Sequence, residues 1–63
     1  MVPVVTVEMW TGRNDEEKSK LVKGITAAFE DIGVGPEKVQ IIIHEVPKNN
    51  WSRGGKLVSS SMR

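Results

Sequence analysis

The sequence predicts an α+β fold, a single β-α-β unit with a parallel two-stranded sheet and a short C-terminal hairpin strand. Three observations predict it: residues 3–9 alternate apolar and polar side chains, residues 21–32 repeat apolar side chains every three or four positions, and residues 39–46 are rich in β-branched side chains. The first and third patterns are typical of strands and the second of an amphipathic helix. Strands joined through one helix run parallel, with a right-handed crossover.

The first strand and the helix have recognisable end signals. Gly12 ends the strand, and Asn14 is a typical helix N-cap, with Glu17 at the spacing of a capping box. Gly33 suits the left-handed conformation that ends many helices, and Pro36 prevents continuation. Between these ends, one apolar stripe is formed by Leu21, Val22, Ile25, Ala28, Phe29 and Ile32.

The second strand, residues 39–46, contains three successive isoleucines, which place apolar side chains on both faces of the sheet. One helix covers only one face, so we expect a second chain to cover the other. After this strand we expect a loop over residues 48–53, a turn at Gly54-Gly55, a short strand over residues 56–58 and a loose tail over residues 59–63.

Size and composition point to an oligomer. The chain has 63 residues, which we interpret as one domain covering residues 1–63, near the lower limit for independent folding. It has no cysteine for a disulfide and one histidine, too few for a zinc site. Association with other chains is the remaining way to stabilise so small a fold.

Charge and hydropathy exclude two classes of partner. Nine basic and eight acidic residues give a net charge of +1 without a basic block, which argues against nucleic acid. No apolar leader and no stretch of membrane-spanning length stands out, so we expect no membrane partner and a cytoplasmic location.

Two blocks of sequence together resemble the 4-oxalocrotonate tautomerase family. The first runs from Pro3 to Gly12-Arg13, and the second runs from Ile41 through Asn50-Trp51 to Gly54-Gly55. The resemblance implies a tautomerase (MIF-like) fold, so that the chain is a single tautomerase-like domain. It also implies pairing of two β-α-β units into a four-stranded layer, and a hexamer built as a trimer of dimers with the sheets facing inward.

The resemblance also implies an isomerase that needs no metal and no cofactor. Such an enzyme moves a proton between the enol or dienol and keto forms of a small 2-oxo or unsaturated carboxylic acid, with an amino-terminal proline as base. Matched by position, Pro3 is the base and Arg13 is the arginine that binds the substrate carboxylate by a two-point contact. An α-amine has a pKa of about 7.7–8.0, which an apolar pocket with nearby cations lowers.

Three further residues are implied as substrate-binding. Trp51 stands where the family places the aromatic wall of its pocket, and Gln40 stands where it places a second arginine. Because glutamine brings no charge, either the substrate is less anionic or another cation substitutes. Arg53, beside Trp51, is the preferred candidate for that cation, and Lys48 is the other.

The position of Pro3 leaves two functions open. A proline nitrogen inside a peptide bond is an amide and cannot take a proton near neutral pH. Residues Met1 and Val2 precede Pro3, so catalysis by the Pro3 nitrogen requires trimming to Pro3. Otherwise the N-terminus of this chain works differently, with a primary amine on Val2 bending back toward the site, or the preceding residues are an engineered insertion. The alternative is a non-catalytic subunit, or one that depends on a proline-first sister chain in a mixed oligomer.

Overall fold

The structure is a computed structural model that describes residues 2–61. The predicted β-α-β unit with a C-terminal hairpin is confirmed. Among the described residues, strand β1 (Val4–Trp10) leads to helix α1 (Asp15–Asp31), strand β2 (Gln40–Val46), the hairpin strands β3 (Ser52–Arg53) and β4 (Lys56–Leu57), and the short helix α2 (Val58–Ser61). Single 3₁₀ turns at Pro36–Lys38 and Lys48–Asn50 flank β2. Neither α1 nor α2 combines the length and the apolar character that a membrane span requires.

Strands β1 and β2 are parallel and pair along their whole length, from Val4 opposite Gln40 to Trp10 opposite Val46. The ladder continues beyond the first pair, because the backbone N–H of Gln40 donates to the carbonyl of Pro3 at 3.0 Å. Strand β1 was predicted over residues 3–9 and is observed one residue later, at Val4–Trp10. Pro3 contributes only its carbonyl, since proline has no N–H.

Both ends of α1 are stabilised as the sequence predicts. The Asn14 side chain accepts from the backbone N–H of Glu17 at 2.8 Å, and the Glu17 carboxylate accepts from the backbone N–H of Asn14 at 3.2 Å. At the other end Gly33 has a φ of 91°, and its N–H donates to the carbonyl of Glu30 at 3.0 Å. The N–H of Val34 donates to the carbonyl of Phe29 at 3.1 Å, which completes a Schellman motif.

Replacing Asn14 with alanine will lower the free energy of unfolding by about 1 kcal/mol, because the backbone N–H of Glu17 loses the side-chain oxygen that accepts its hydrogen bond. Denaturant unfolding at a fixed protein concentration measures this change. Ser19→Ala, an exposed position within α1, is the matched control and should be neutral or slightly stabilising. Equal stability of the two variants would show that the cap does not contribute.

The two faces of the sheet differ in exposure. Side chains on one face are half-buried: Val5, Val7, Met9, Ile41 and Ile43. Helix α1 lies on this face, because Lys18 of α1 pairs with Glu45, which shares the face. On the other face, which we call the open face, Val4 is 57% and Ile42 is 47% exposed. The separated chain thus leaves apolar surface uncovered, as predicted.

The end of the chain differs from the prediction. Residues 58–61 form α2 rather than the end of a strand and a loose tail. Val58 is only 1% exposed, and its N–H donates to the carbonyl of Trp51 at 2.8 Å. Burial of this one side chain anchors a segment whose polar composition otherwise indicates a tail. The loop prediction for residues 48–53 was also partly wrong, since a 3₁₀ turn and β3 occupy it; residues 62–63 lie outside the described residues.

Candidate active site

The predicted site residues lie at opposite ends of the β1–β2 sheet. Pro3 and Gln40 are neighbours where the strands begin, joined by the 3.0 Å backbone hydrogen bond. Arg13 follows the other end of β1, and Trp51 contacts Trp10, the last residue of that strand. A strand of seven residues is roughly 20 Å long. One chain therefore does not bring Pro3 to Arg13, and a site containing both requires more than one chain.

Arg13 lies just beyond the tight turn at Gly12, which has a φ of 128°. Its side chain is 62% exposed and pairs with Glu17 at 3.1 Å. The pKa of Glu17 is lowered, first by the backbone hydrogen bond at Asn14 and next by the Arg13 guanidinium. A lowered folded-state pKa stabilises the fold at neutral pH, and this contribution is lost as the pH falls through that pKa. The pair holds Arg13 near the first turn of α1 and leaves most of its surface accessible.

Two tryptophans and a lysine form a cluster at the same end of the sheet. The rings of Trp10 and Trp51 meet edge to face, with centroids 5.9 Å apart and planes at 78°, a preferred aromatic geometry. The Lys48 ammonium lies 4.9 Å from the centroid of the Trp10 ring, within the range of a cation–π interaction. The indole N–H of Trp10 is buried and has no acceptor among the described residues. These contacts fix the position of the Trp10 ring at the end of β1. Trp10 was not among the candidate site residues predicted from the sequence.

Two grooves meet at Met9 and Arg13. The larger has a volume of about 440 Å³ and is lined by Met9, Arg13, Glu17, Lys18, Lys20 and Leu21. The other, which we call the Trp10 groove, has a volume of about 380 Å³ and is lined by Met9, Trp10, Thr11, Gly12, Arg13 and Lys48. The Trp10 groove combines two cations with apolar side chains, and its lining contains no carboxylate. Such a surface suits an anion with an apolar body.

The remaining predicted residues lie outside these linings. Arg53, the preferred replacement for a missing cation, is on the exposed hairpin strand β3 opposite Lys56. Gln40 is exposed at the far end of the sheet. Of the two alternatives considered, Lys48 is the cation that the structure brings to the groove that Arg13 lines. No local sequence signal distinguishes Lys48 from Arg53, because the choice depends on how residues 48–50 fold back over the end of β1.

The open face carries one titratable pair. Glu8 and His44 are directly opposite each other in the β1–β2 register, and Glu8 Oε2 lies 2.7 Å from His44 Nδ1. Both side chains are about half exposed. Within residues 2–61, no group of three or more potential metal-ligating side chains is close enough to hold an ion.

Comparisons with known proteins agree on one family. The sequence model of a family described as "Tautomerase enzyme" matches residues 3–61. A 2-hydroxymuconate tautomerase of Bacillus subtilis is 41% identical over 92% of this chain and 95% of its own length. The solved structure of YwhB, a homologue of 4-oxalocrotonate tautomerase, has a TM-score of 0.84 and 40% identity, covering 90% of this chain and 95% of that one. A heterohexamer 4-oxalocrotonate tautomerase from Chloroflexus aurantiacus has a TM-score of 0.82 and 31% identity, covering 95% of this chain and 97% of that one.

Proposed function

Because the chain belongs to the tautomerase family and is an isomerase, we propose that it interconverts the enol or dienol and keto forms of a small 2-oxo or unsaturated carboxylic acid. The base is Pro3, with its nitrogen free at the amino terminus, and no cofactor takes part. The observation that carries the proposal is that the family match begins at Pro3, while Arg13 lines a groove that combines cations with an aromatic wall.

The chemistry is one proton moved by one base. The Pro3 nitrogen accepts the proton of the enol hydroxyl, the O–H electron pair forms the C=O bond, and the C=C electron pair takes the proton back at carbon. A secondary amine with a pKa near the working pH suits both transfers. The carbonyl of Pro3 accepts a hydrogen bond from the N–H of Gln40. This bond positions Pro3 without using its nitrogen.

Arg13 binds the substrate carboxylate and stabilises negative charge on the adjacent oxygen. Its guanidinium offers a planar pair of donors that matches a carboxylate. Because one chain separates Pro3 from Arg13 by the length of β1, the reacting site is composite: Pro3 comes from one chain and Arg13, with Trp51, from another.

The assembly we propose is a homo-hexamer, a trimer of dimers whose open faces are covered by neighbouring copies. Exposure of Val4 and Ile42 on that face supports it. A mixed oligomer with a proline-first sister chain is the second candidate. It is favoured by the two residues that precede Pro3 and by the heterohexamer from Chloroflexus aurantiacus.

The function is tested by assaying ketonisation of 2-hydroxymuconate and of the enol form of phenylpyruvate. The sample must be a chain shown by intact-mass spectrometry to begin at Pro3. Turnover of at least one substrate is expected, and failure with both would reject a Pro3-based tautomerase. 2-Hydroxymuconate is the substrate after which the Bacillus subtilis relative is named.

Replacing Ile42 with lysine will dissociate the assembly and abolish activity together. The new ammonium would be buried between copies without a partner, which carries a penalty of several kcal/mol per ion. Sedimentation velocity and the ketonisation assay report the two effects. Ala27→Lys places the same charge on an exposed position of α1 and should preserve both. A fully assembled, active Ile42→Lys variant would show that the open face is not an interface.

A further inference from the structure

The open face carries one acid and one base, side by side among uncharged residues of β1 and β2. By strand alternation this face also presents Val4, Thr6, Trp10, Gln40, Ile42 and Val46. Glu8 Oε2 lies 2.7 Å from His44 Nδ1, and the two side chains are 52% and 56% exposed. Between groups this exposed, the attraction is screened by water and contributes little to the stability of the separated chain. The pair therefore matters chiefly when another chain covers the face.

His44 is the side chain through which pH can act on this face near neutrality. Histidine is the side-chain type whose charge ordinarily changes between about pH 5 and pH 8, and the chain contains 1 histidine and no cysteine. The 3₁₀ turn after β2 places the Lys48 ammonium on the Trp10 ring, and the hairpin carries Arg53 and Lys56, both exposed. Helix α1 lies on the opposite face of the sheet, so its charged side chains do not meet the pair.

We propose that the Glu8–His44 pair is buried between copies of this chain, and that it makes assembly depend on pH. This inference rests on the oligomer proposed together with the function and deepens it by naming the group that regulates it. The occupant of the open face is a second copy, because a surface with one acid beside one base complements itself: a two-fold rotation can set each acid against a base. The exposed side chains of Val4 and Ile42 supply the apolar contact.

The net charge of the pair gives the direction of the effect. With His44 protonated and Glu8 ionised, each copy buries no net charge. Once His44 loses its proton, each copy buries a carboxylate without a cation, and burial of an unpaired charge is costly. Assembly therefore retains the proton on His44, and it weakens as the pH rises through the titration of this histidine. In acid, protonation of Glu8 leaves the imidazolium unpaired, which weakens assembly again.

Sedimentation velocity of the full chain tests the inference, over a dilution series at about pH 6 and about pH 8.5 and at constant ionic strength. The protein concentration at half-assembly should be at least about tenfold higher at the higher pH, because one proton bound per copy allows a change of up to about tenfold per pH unit. His44→Gln removes the titrating side chain but retains the α-amine, which also titrates in this range. This variant should reduce the change to less than about twofold.

Glu8→Gln should reverse the sign of the pH dependence. In this variant each copy buries an unpaired imidazolium at about pH 6, whereas at about pH 8.5 a neutral imidazole meets a neutral amide. It should therefore assemble at a lower protein concentration at the higher pH. The double variant Glu8→Gln/His44→Gln should assemble equally well at both values. Glu30→Gln neutralises an exposed carboxylate of α1 and should behave like the unmodified chain.

Four results would overturn the inference: a chain that stays monomeric, equal assembly of the unmodified chain at both pH values, a pH dependence that survives in His44→Gln, or no reversal in Glu8→Gln. The ketonisation assay separates these results from failure of the proposed function. An inactive Pro3-first chain that still assembles with the expected pH dependence would refute the tautomerase proposal alone. An active chain whose assembly ignores pH would refute this inference alone.

Discussion

A chain that begins at Pro3 will ketonise 2-hydroxymuconate about 100- to 10,000-fold faster than the same chain with Met1 and Val2 retained, because this is the range that a positioned general base contributes. In the longer chain the Pro3 nitrogen is an amide whose lone pair is in resonance with the carbonyl of Val2. The free α-amine then lies before Pro3 in the chain, and each added residue can displace it by up to roughly 3 Å. Steady-state kcat/KM for both chains, with their N-termini verified by intact mass, measures the ratio.

The matched control for this comparison is a chain of the same length with Pro3→Ala at its first position. It keeps a free amine in the same place but replaces the secondary amine with a primary one, so it should retain part of the activity. A Met1 chain that turned over as fast as the Pro3-first chain would contradict a role for the Pro3 nitrogen. A Met1 chain that became active only after mixing with a proline-first sister chain would instead support the mixed oligomer.

Arg13→Ala will lower kcat/KM for 2-hydroxymuconate by roughly 100- to 1,000-fold, as expected for losing a donor that stabilises developing negative charge. Stability should change little, because an exposed ion pair at i and i+4 such as Arg13–Glu17 is screened by solvent and contributes little to the free energy of unfolding. Initial-rate kinetics and denaturant unfolding of the same preparation separate these two effects.

Two controls identify how Arg13 acts. Glu17→Gln removes the ion pair but leaves the guanidinium, so it should keep most of the activity; a loss as large as that of Arg13→Ala would mean that Arg13 acts through Glu17.

The second control mixes subunits. A Pro3-first Arg13→Ala chain combined with a Met1 chain supplies a free Pro3 on one copy and an intact Arg13 on the other. Partial recovery of activity after remixing is expected for a composite site and excluded for a site within one chain.

The helix and the paired strands could be predicted from the sequence because their signals are local. Asn14 and Glu17 define the start of α1 by their spacing, and Gly33 has the left-handed conformation expected at its end. The C-terminal segment could not be predicted in the same way. A run of serines indicates a tail, but the burial of Val58, which depends on the folded context, places these residues in a helix.

The sequence offers candidate site residues but does not predict their arrangement. A resemblance identifies Pro3 and Arg13 as candidates, yet it does not show that β1 separates them within one chain. Nor could it rank Lys48 above Arg53. That ranking comes from the 4.9 Å approach of Lys48 to the Trp10 ring, which exists only once the connection after β2 has folded back. Contacts between residues distant in sequence leave no local pattern, so the groove could not be predicted from the sequence.

The two-stranded sheet leaves one backbone edge of β1 and one of β2 unpaired in the described part of the chain. Each edge is a template to which a further strand can hydrogen-bond. Copies that add edge to edge without closure would grow into filaments, whereas a symmetric assembly closes after a fixed number of copies. If the chain forms the proposed hexamer, its closed stoichiometry would limit fibrillation as well as build the composite site, and substitutions that loosen it should promote aggregation even where catalysis is dispensable.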